Sequence, residues 1–272
     1  MSTAEDPRVR ATATYNAAAD RYDDPDNSFW ERFGRRTVER LDLPAGARVL
    51  DVCCGSGASA LAAAELVGSR GSVLGVDLAE NLLARARAKA RERGLAQTEF
   101  RTGDLLDLGL PEARFDAVVC VFGIFFVTDM AAAVRGLWRL VRPGGTLALT
   151  TWGPRFFEPA TTHFWDAVRA ERPELYKGFN PWDRICDPPA LRALLLAAGV
   201  TDADVVAEAG EHPLPTPEAW WSAVLGSGYR GTLEQLSPAA RERVRRANLD
   251  AIRSARITRV EANVVYARAA KG

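Results

Sequence analysis

The chain is poor in the residues that dominate metal, disulfide and acid–base chemistry. Its 272 residues include four cysteines, two histidines and two methionines. Cys53, Cys54, Cys120 and Cys186 form no C-x-x-C pair and have no histidine-rich companion, which argues against both a zinc site and a disulfide framework. A reducing cytoplasm is the expected setting. Lysine is confined to Lys89, Lys177 and Lys271, and the formal net charge is zero. Arginines are interleaved with acids rather than gathered into a stripe, and Arg85-Ala-Arg-Ala-Lys-Ala-Arg-Glu-Arg93 reads as the wet face of a helix. A nucleic-acid partner is therefore not expected. No window approaches the roughly 18 apolar residues of a membrane span, and Met1-Ser-Thr-Ala-Glu-Asp6 lacks the apolar segment of a signal peptide. The expectation is a soluble protein with no membrane span.

What is present is a core. With 47% hydrophobic residues the chain can bury one fully, and a single elaborated domain is expected rather than two independent folds. The most informative stretch is Val49-Leu-Asp-Val-Cys-Cys-Gly-Ser-Gly57, followed by a second acid in Ser72-Val-Leu-Gly-Val-Asp77. A strand ending in an acid, a glycine turn, a helix and another strand ending in an acid is a nucleoside-binding βαβ unit. The same residues satisfy the loose dinucleotide pattern G-x-G-x-x-G/A with an acid about 20 residues on. Asp51 discriminates. A carboxylate beside the glycine turn repels a pyrophosphate but attracts the ammonium and sulfonium of S-adenosylmethionine. A solvated loop acid is the plainer alternative.

From about residue 46 strand and helix alternate: β at 48–52, α at 59–67, β at 72–77, α at 80–93, a short β at 98–102 and an apolar β at 115–121. This predicts a parallel sheet with helices on both faces. A helix over 130–141 is expected to stop hard at Arg142-Pro-Gly-Gly145, with a strand resuming at 146–151. After Trp152 comes an aromatic and proline-rich segment to Pro189, then a helix over 190–198 and a strand over 203–209. A second insertion from Glu211 to about Arg256 shows two helical patterns, and a single strand is expected over 258–267.

These motifs, with Gly103-Asp-Leu105, Phe115-Asp-Ala-Val-Val119 and Leu140-Val-Arg-Pro-Gly-Gly145 in register, resemble the class I S-adenosylmethionine-dependent methyltransferases over roughly residues 10 to 268. The Cys-Cys-Gly-Ser-Gly variant and the run through Phe122-Gly-Ile-Phe-Phe-Val-Thr-Asp129 are similar to small-molecule C- and O-methyltransferases, including the quinone-biosynthesis type. The resemblance implies an α/β, Rossmann-like, seven-stranded and mostly parallel sheet with an antiparallel last strand, plus helical cap insertions. It also implies an organisation: a helical lid at 1–45, a cofactor-binding core at 46–151 completed by 190–210 and 257–272, and caps at 152–189 and 211–256. Asp51, Cys53, Gly55 and Gly57 would hold the methionine moiety, Asp77 the ribose hydroxyls, and Asp104 the adenine amino group. Leu78 and Leu82 would lie against the adenine, with Leu105, Cys120 and Val121 flanking the cofactor. Acceptor-only carboxylates suit such donors. Cys53 departs from the glycine common at its position and is expected to be tolerated, not to act as a nucleophile. Tyr15-Asn-Ala-Ala-Ala-Asp-Arg-Tyr22 resembles the helix folded over the cofactor, with Tyr15, Tyr22 and Trp30 either closing the pocket or stapling the helix to the body.

Methyl transfer from a sulfonium asks the protein mainly to align the partners and exclude water. No Ser-His-Asp or paired-carboxylate constellation is present, and none is needed. If a base is used, His163 in Thr161-Thr-His-Phe-Trp165 and Tyr176 are the candidates, with Glu158 behind them; each has an ordinary structural reading beside it. His212 precedes a proline-rich linker and reads as structural. The density of aromatics in the caps suits a small, fairly hydrophobic or aromatic methyl acceptor, although some rings must form the caps' own core and others could form a homodimer face. The function expected is methyl transfer to carbon or oxygen of such a metabolite, with natural-product biosynthesis as the expected setting. The alternatives are a non-methylating reaction such as cyclisation on the same cofactor, a nicotinamide oxidoreductase, which Asp51 opposes, and a non-catalytic partner subunit.

Overall fold

The computed structural model describes residues 6–272; Met1–Glu5, part of the expected lid and of the leader reading, lie outside the described residues. Two helices, α1 (Pro7–Tyr22) and α2 (Phe29–Glu39), precede the alternating core. The core runs β1 (Arg48–Val52), α3 (Ala58–Val67), β2 (Ser72–Asp77), α4 (Glu80–Glu92), β3 (Thr98–Thr102), β4 (Phe115–Val121), α5 (Met130–Leu140) and β5 (Val141–Trp152). Then come α6 (Ala160–Glu171), α7 (Pro188–Ala197), β6 (Asp204–Glu208), β7 (Glu211–Pro213), α8 (Pro217–Leu225), α9 (Arg230–Leu233), α10 (Pro238–Ser254), β8 (Arg259–Glu261) and β9 (Val264–Ala270).

The seven-stranded sheet has the order β3-β2-β1-β4-β5-β9-β6. β1 to β5 pair in parallel, and β9 runs antiparallel between β5 and β6. This is the expected Rossmann-like arrangement. The central strands are buried because both faces are covered: Val49, Leu50 and Val52 of β1 are each at most 1% exposed. On one face α3 and α4 contribute Leu61, Ala64, Leu83 and Ala86; on the other, α5 contributes Val134 and Leu137. The arginines of α4 form ion pairs, Arg85 with Asp23 and Arg87 with Glu80, and both are half-buried rather than on a fully wet helix face. No helix among the described residues is long and apolar enough to cross a membrane.

Three sequence expectations need correction. The Arg142–Gly145 stop does not separate helix from strand, because β5 starts at Val141 and the Pro-Gly-Gly segment is taken up in a register shift between the Phe115–Val141 and Ala117–Thr146 pairs. The second insertion holds three helices, since Arg230–Leu233 adds one short turn between α8 and α10. The last expected strand is two strands. β8 pairs with β7, then the chain changes sheet at Ala262–Asn263, where Ala262 N–H donates to the Gly210 carbonyl and Asn263 Oδ1 accepts from Gly210 N–H. A run with no glycine or proline gave no sign of that break.

Candidate functional site

The strand order reverses between β1 and β4, and a cavity opens there at the carboxyl ends of the strands, the place where open α/β sheets bind ligands. The space between its walls, solvent at its open mouth included, is about 720 Å³. Its floor is the turn after β1. Gly55 adopts φ +53°, and a Cβ there would lie 3.2 Å from the Tyr22 hydroxyl, so a side chain would intrude on the cavity wall. Gly57, also left-handed, starts α3.

Asp77 ends β2 and organises the floor. Its Oδ2 accepts from Gly55 N–H at 2.8 Å and its Oδ1 from Ala79 N–H at 2.8 Å. Burial pushes its carboxyl up, against those backbone donors. Asp104, after β3, accepts from Leu106 N–H at 2.9 Å and takes a charge-assisted bond from Arg8 of α1. Asp51 is 1% exposed; Ser59 Oγ donates to its Oδ2 at 2.7 Å, while Oδ1 has no partner. Burial, opposed by Ser59 and aided by the nearby Asp77, raises its pKa to about 7. A buried carboxylate with an unspent oxygen fits a cationic ligand group better than it fits packing.

α1 forms the roof. Tyr15 meets Tyr22 edge-on at 6.2 Å, and Tyr22 stacks on Trp30 at 4.7 Å. Trp30 Nε1–H in turn donates to the Gly226 carbonyl at 3.2 Å. The far end of α1 is locked to the floor by Asp23, which accepts from Ser56 at 2.6 Å, Arg85 at 2.7 Å and Lys89 at 2.8 Å. Burial pushes the Tyr15 and Tyr22 hydroxyls well up, so both stay protonated.

Of the positions expected to bind a cofactor, Tyr15, Tyr22, Cys53, Gly55, Asp77, Leu78, Leu82, Asp104, Leu105 and Val121 line this cavity. Asp51, Gly57 and Cys120 stand behind the lining. Cys53 has φ +58°, the left-handed conformation a glycine would take. A hydrogen bond with Cys120 and burial push its thiol well up, which leaves it a poor nucleophile. His163 and Tyr176 do not line the cavity, and Tyr176 is 40% exposed. Arg8, Phe122, Gly123, Phe126 and Val127 line it and went unnoticed as lining residues in the sequence. The cap rings largely pack on one another: Phe157, Phe164 and Trp220 are fully buried.

Residues 49–145 match a family model described as a methyltransferase domain. Nocamycin O-methyltransferase of Saccharothrix syringae is 31% identical over 241 residues, 82% of this chain and 84% of that protein. Aklanonic acid methyltransferase DauC of a Streptomyces species is 34% identical over 144 residues, covering 53% of this chain and 66% of that protein. A demethylmenaquinone methyltransferase of Geobacillus kaustophilus is 37% identical over 121 residues, covering 44% and 52%. The crystal structure of YcgJ from Bacillus subtilis superposes with a TM-score of 0.56 at 18% identity, over 88% of this chain and 98% of that one.

Proposed function

The chain belongs to the class I S-adenosylmethionine-dependent methyltransferases, and from that premise we propose that it methylates an oxygen or carbon of a small, fairly hydrophobic or aromatic metabolite. The observation that carries this reading is a cavity lined by the carboxylates of Asp77 and Asp104 and walled by the rings of Tyr15, Tyr22, Trp30, Phe122 and Phe126. The names of the relatives support it, since two of them act on nocamycin and on aklanonic acid.

The residues present fit the cofactor. Asp77 and Asp104 offer carboxylate oxygens for ribose hydroxyls and an exocyclic amine, and Leu78, Leu82 and Leu105 offer apolar surface for a purine. The unspent oxygen of Asp51 suits an ammonium group. S-adenosylmethionine, when bound, supplies a methyl group already activated by its sulfonium. The chain's own work is then to orient and to exclude water. Asp77 holds the glycine loop in its left-handed turn through Gly55 N–H. Tyr15, Tyr22 and Trp30 roof the cavity, and Asp23 keeps the roof on the floor, so the transfer proceeds away from bulk water. In this reading residues 1–45 act as the lid, and 152–189 and 211–256 shape the acceptor's side.

The test is a thermal-shift titration with S-adenosylhomocysteine beside an NAD control, followed by turnover on phenolic, quinone and carboxylic acid acceptors. Stabilisation by the homocysteine compound alone, with methyl consumed on at least one acceptor, supports the proposal. Stabilisation with no methyl consumed on any acceptor favours the non-methylating alternative.

A further inference from the structure

The polar side chains of the cavity wall divide into those already engaged and those left free. Asp77 is tied to two backbone N–H groups, Asp104 to Leu106 N–H and Arg8, and the Thr12 hydroxyl donates to the Arg8 carbonyl at 2.8 Å. The hydroxyls of Tyr15 and Tyr22, both on the cavity, have no hydrogen-bond partner among the described residues. Tyr229, in the caps, shows the contrast: its hydroxyl lies 2.6 Å from Thr161 Oγ1. Burial pushes the Tyr15 and Tyr22 hydroxyls up, with the nearby Asp77 acting in the same direction, so each keeps its proton and has nothing to donate it to. A tyrosine O–H enclosed in a protein wall normally finds an acceptor. Here the ligands are left to supply it.

The two hydroxyls face different sides of the cavity. That of Tyr22 lies over the glycine turn, 3.2 Å from where a Cβ on Gly55 would stand. That of Tyr15 lies on the cap side, 3.7 Å from where a Cβ on Gly228 would stand, in the turn between α8 and α9. Tyr15 shares the cavity face of α1 with Arg8, Ala11 and Thr12, at the spacing that puts residues on one side of a helix. Its ring is set edge-on between Tyr22 at 6.2 Å and Phe126 at 5.7 Å. From Phe126 the rings continue into the first cap, since the adjacent Phe125 lies 5.4 Å from Trp182, and Trp182 lies 4.9 Å from Phe156. Tyr15 therefore carries a free donor, on a ring fixed by its neighbours, at the junction of the cofactor cavity with both caps.

Resting on the methyltransferase reading above, we infer that Tyr15 is a specificity-determining residue for the methyl acceptor: its hydroxyl donates to a carbonyl oxygen of that molecule, while the hydroxyl of Tyr22 serves the cofactor. The acceptor class is a ring compound bearing a ketone, quinone or ester carbonyl. A carbonyl oxygen accepts only, so it completes the Tyr15 donor without bringing a further proton that would need its own acceptor in a wall otherwise made of Phe122, Phe126 and Trp30. Selection follows from the same balance. A carbonyl that enters this wall loses its water and is repaid by one bond, whereas a hydrocarbon of the same shape leaves the Tyr15 donor unpaired.

The probes are 1-tetralone and tetralin, bicycles that differ by one carbonyl, titrated calorimetrically into the full chain saturated with S-adenosylhomocysteine. Tyr15→Phe keeps the ring and removes only the hydroxyl. It is expected to weaken 1-tetralone by about fivefold and tetralin by less than about twofold, with the melting temperature and the homocysteine-compound affinity unchanged. Tyr22→Phe is expected to do the reverse, weakening the homocysteine compound and leaving the ratio of the two probes as in the parent protein. Infrared difference spectra give a second readout, because the carbonyl stretch of bound 1-tetralone should lie lower in the parent than in Tyr15→Phe, a shift that a change in packing alone would not produce. Failure of 1-tetralone to bind, an affinity for it that survives in Tyr15→Phe, or a selective loss of 1-tetralone in Tyr22→Phe instead overturns the inference. Failure of S-adenosylhomocysteine itself to bind the parent protein would sink the cofactor reading, and is thus told apart from a failure of carbonyl selection.

Discussion

Cys53 and Gly123 are sterically matched across the cavity floor. An ideal Cβ built on Gly123 would lie 2.4 Å from Cys53 Cβ, 2.8 Å from Cys53 Sγ and 3.0 Å from Cys120 Sγ. The residue after β1 carries a side chain in a left-handed turn, and the loop after β4 leaves room for it by having none. The departure at Cys53 from the usual glycine is therefore compensated at a position 70 residues away in sequence.

That match predicts a non-additive pair. Gly123→Ala should cost about 1 to 3 kcal/mol by overpacking a buried loop and should weaken cofactor binding. Cys53→Gly should be near neutral, because relief of about 1 kcal/mol of left-handed strain offsets a similar loss in backbone entropy. The double variant should recover most of the Gly123→Ala loss, since two of the three close contacts vanish. Denaturant melts of the four proteins measure the coupling. Strict additivity would show that the two positions do not share this space.

Asp51 predicts opposite pH trends for the free and bound protein. Its folded pKa of about 7 lies above the ordinary 3.8, so the folded state keeps a proton that the unfolded chain has released. This group's contribution to stability is complete below about pH 4 and is lost as pH rises through about 7, by something on the order of a few kcal/mol. Affinity for the cationic cofactor should move the other way, rising toward about pH 7 as Asp51 ionises and then levelling. Asp51→Asn should flatten both curves. Calorimetric titration with S-adenosylmethionine at several pH values decides it: a pH-independent affinity in the parent protein would detach Asp51 from the ammonium.

The core of the fold was legible because local signals agree there. Acids at strand ends, the glycine turn and short β-branched runs each point to the same βαβ unit, and the strand boundaries at Arg48–Val52, Ser72–Asp77 and Phe115–Val121 follow. The chain's change of sheet at Ala262–Asn263 was not legible, because its cause is a bond to Gly210, more than 50 residues away. The site shows the same division. Asp77 and Gly55 sit in a motif, whereas Arg8 finds Asp104 across a separation of 96 residues and belongs to no local pattern. Aromatic count likewise pointed to a pocket wall where packing uses most of the rings, and only the contacts separate Phe164, fully buried, from Phe126 on the cavity.

Arg8 predicts a change in cofactor release. Asp6 grips the guanidinium through Nε and Nη2 while Nη1 reaches Asp104, so the start of α1 is fastened over one end of the cavity. Arg8→Ala should speed release of S-adenosylhomocysteine severalfold and leave the melting temperature of the free protein unchanged, because the ion pairs are partly solvated. Raising ionic strength should reproduce part of the effect in the parent protein and none in the variant. Stopped-flow release rates that do not respond to the substitution would make Arg8 a surface residue only.

His212 ties the second insertion to the lid, and its protonation should loosen that junction. The ring is 2% exposed, packs edge-on to Phe29 at 5.0 Å, and has Nε2 at 2.7 Å from the Asp26 carbonyl while Nδ1 has no partner. Nε2 is therefore the protonated nitrogen, and the ring is neutral in the fold. Burial lowers its pKa from the ordinary 6.5, with the charge of Arg32 in the same direction and the Asp26 carbonyl opposing. The unfolded chain then takes up a proton before the folded one does. The stability from this group is fully present above about pH 6.5 and declines as pH falls below it. His212→Phe removes the titration but also the bond to Asp26, so it should lower stability at neutral pH and abolish this acid-side slope. Paired denaturant melts at pH 7.5 and 5.5 separate the two effects, and a slope that persists in the variant would assign the acid sensitivity to another group.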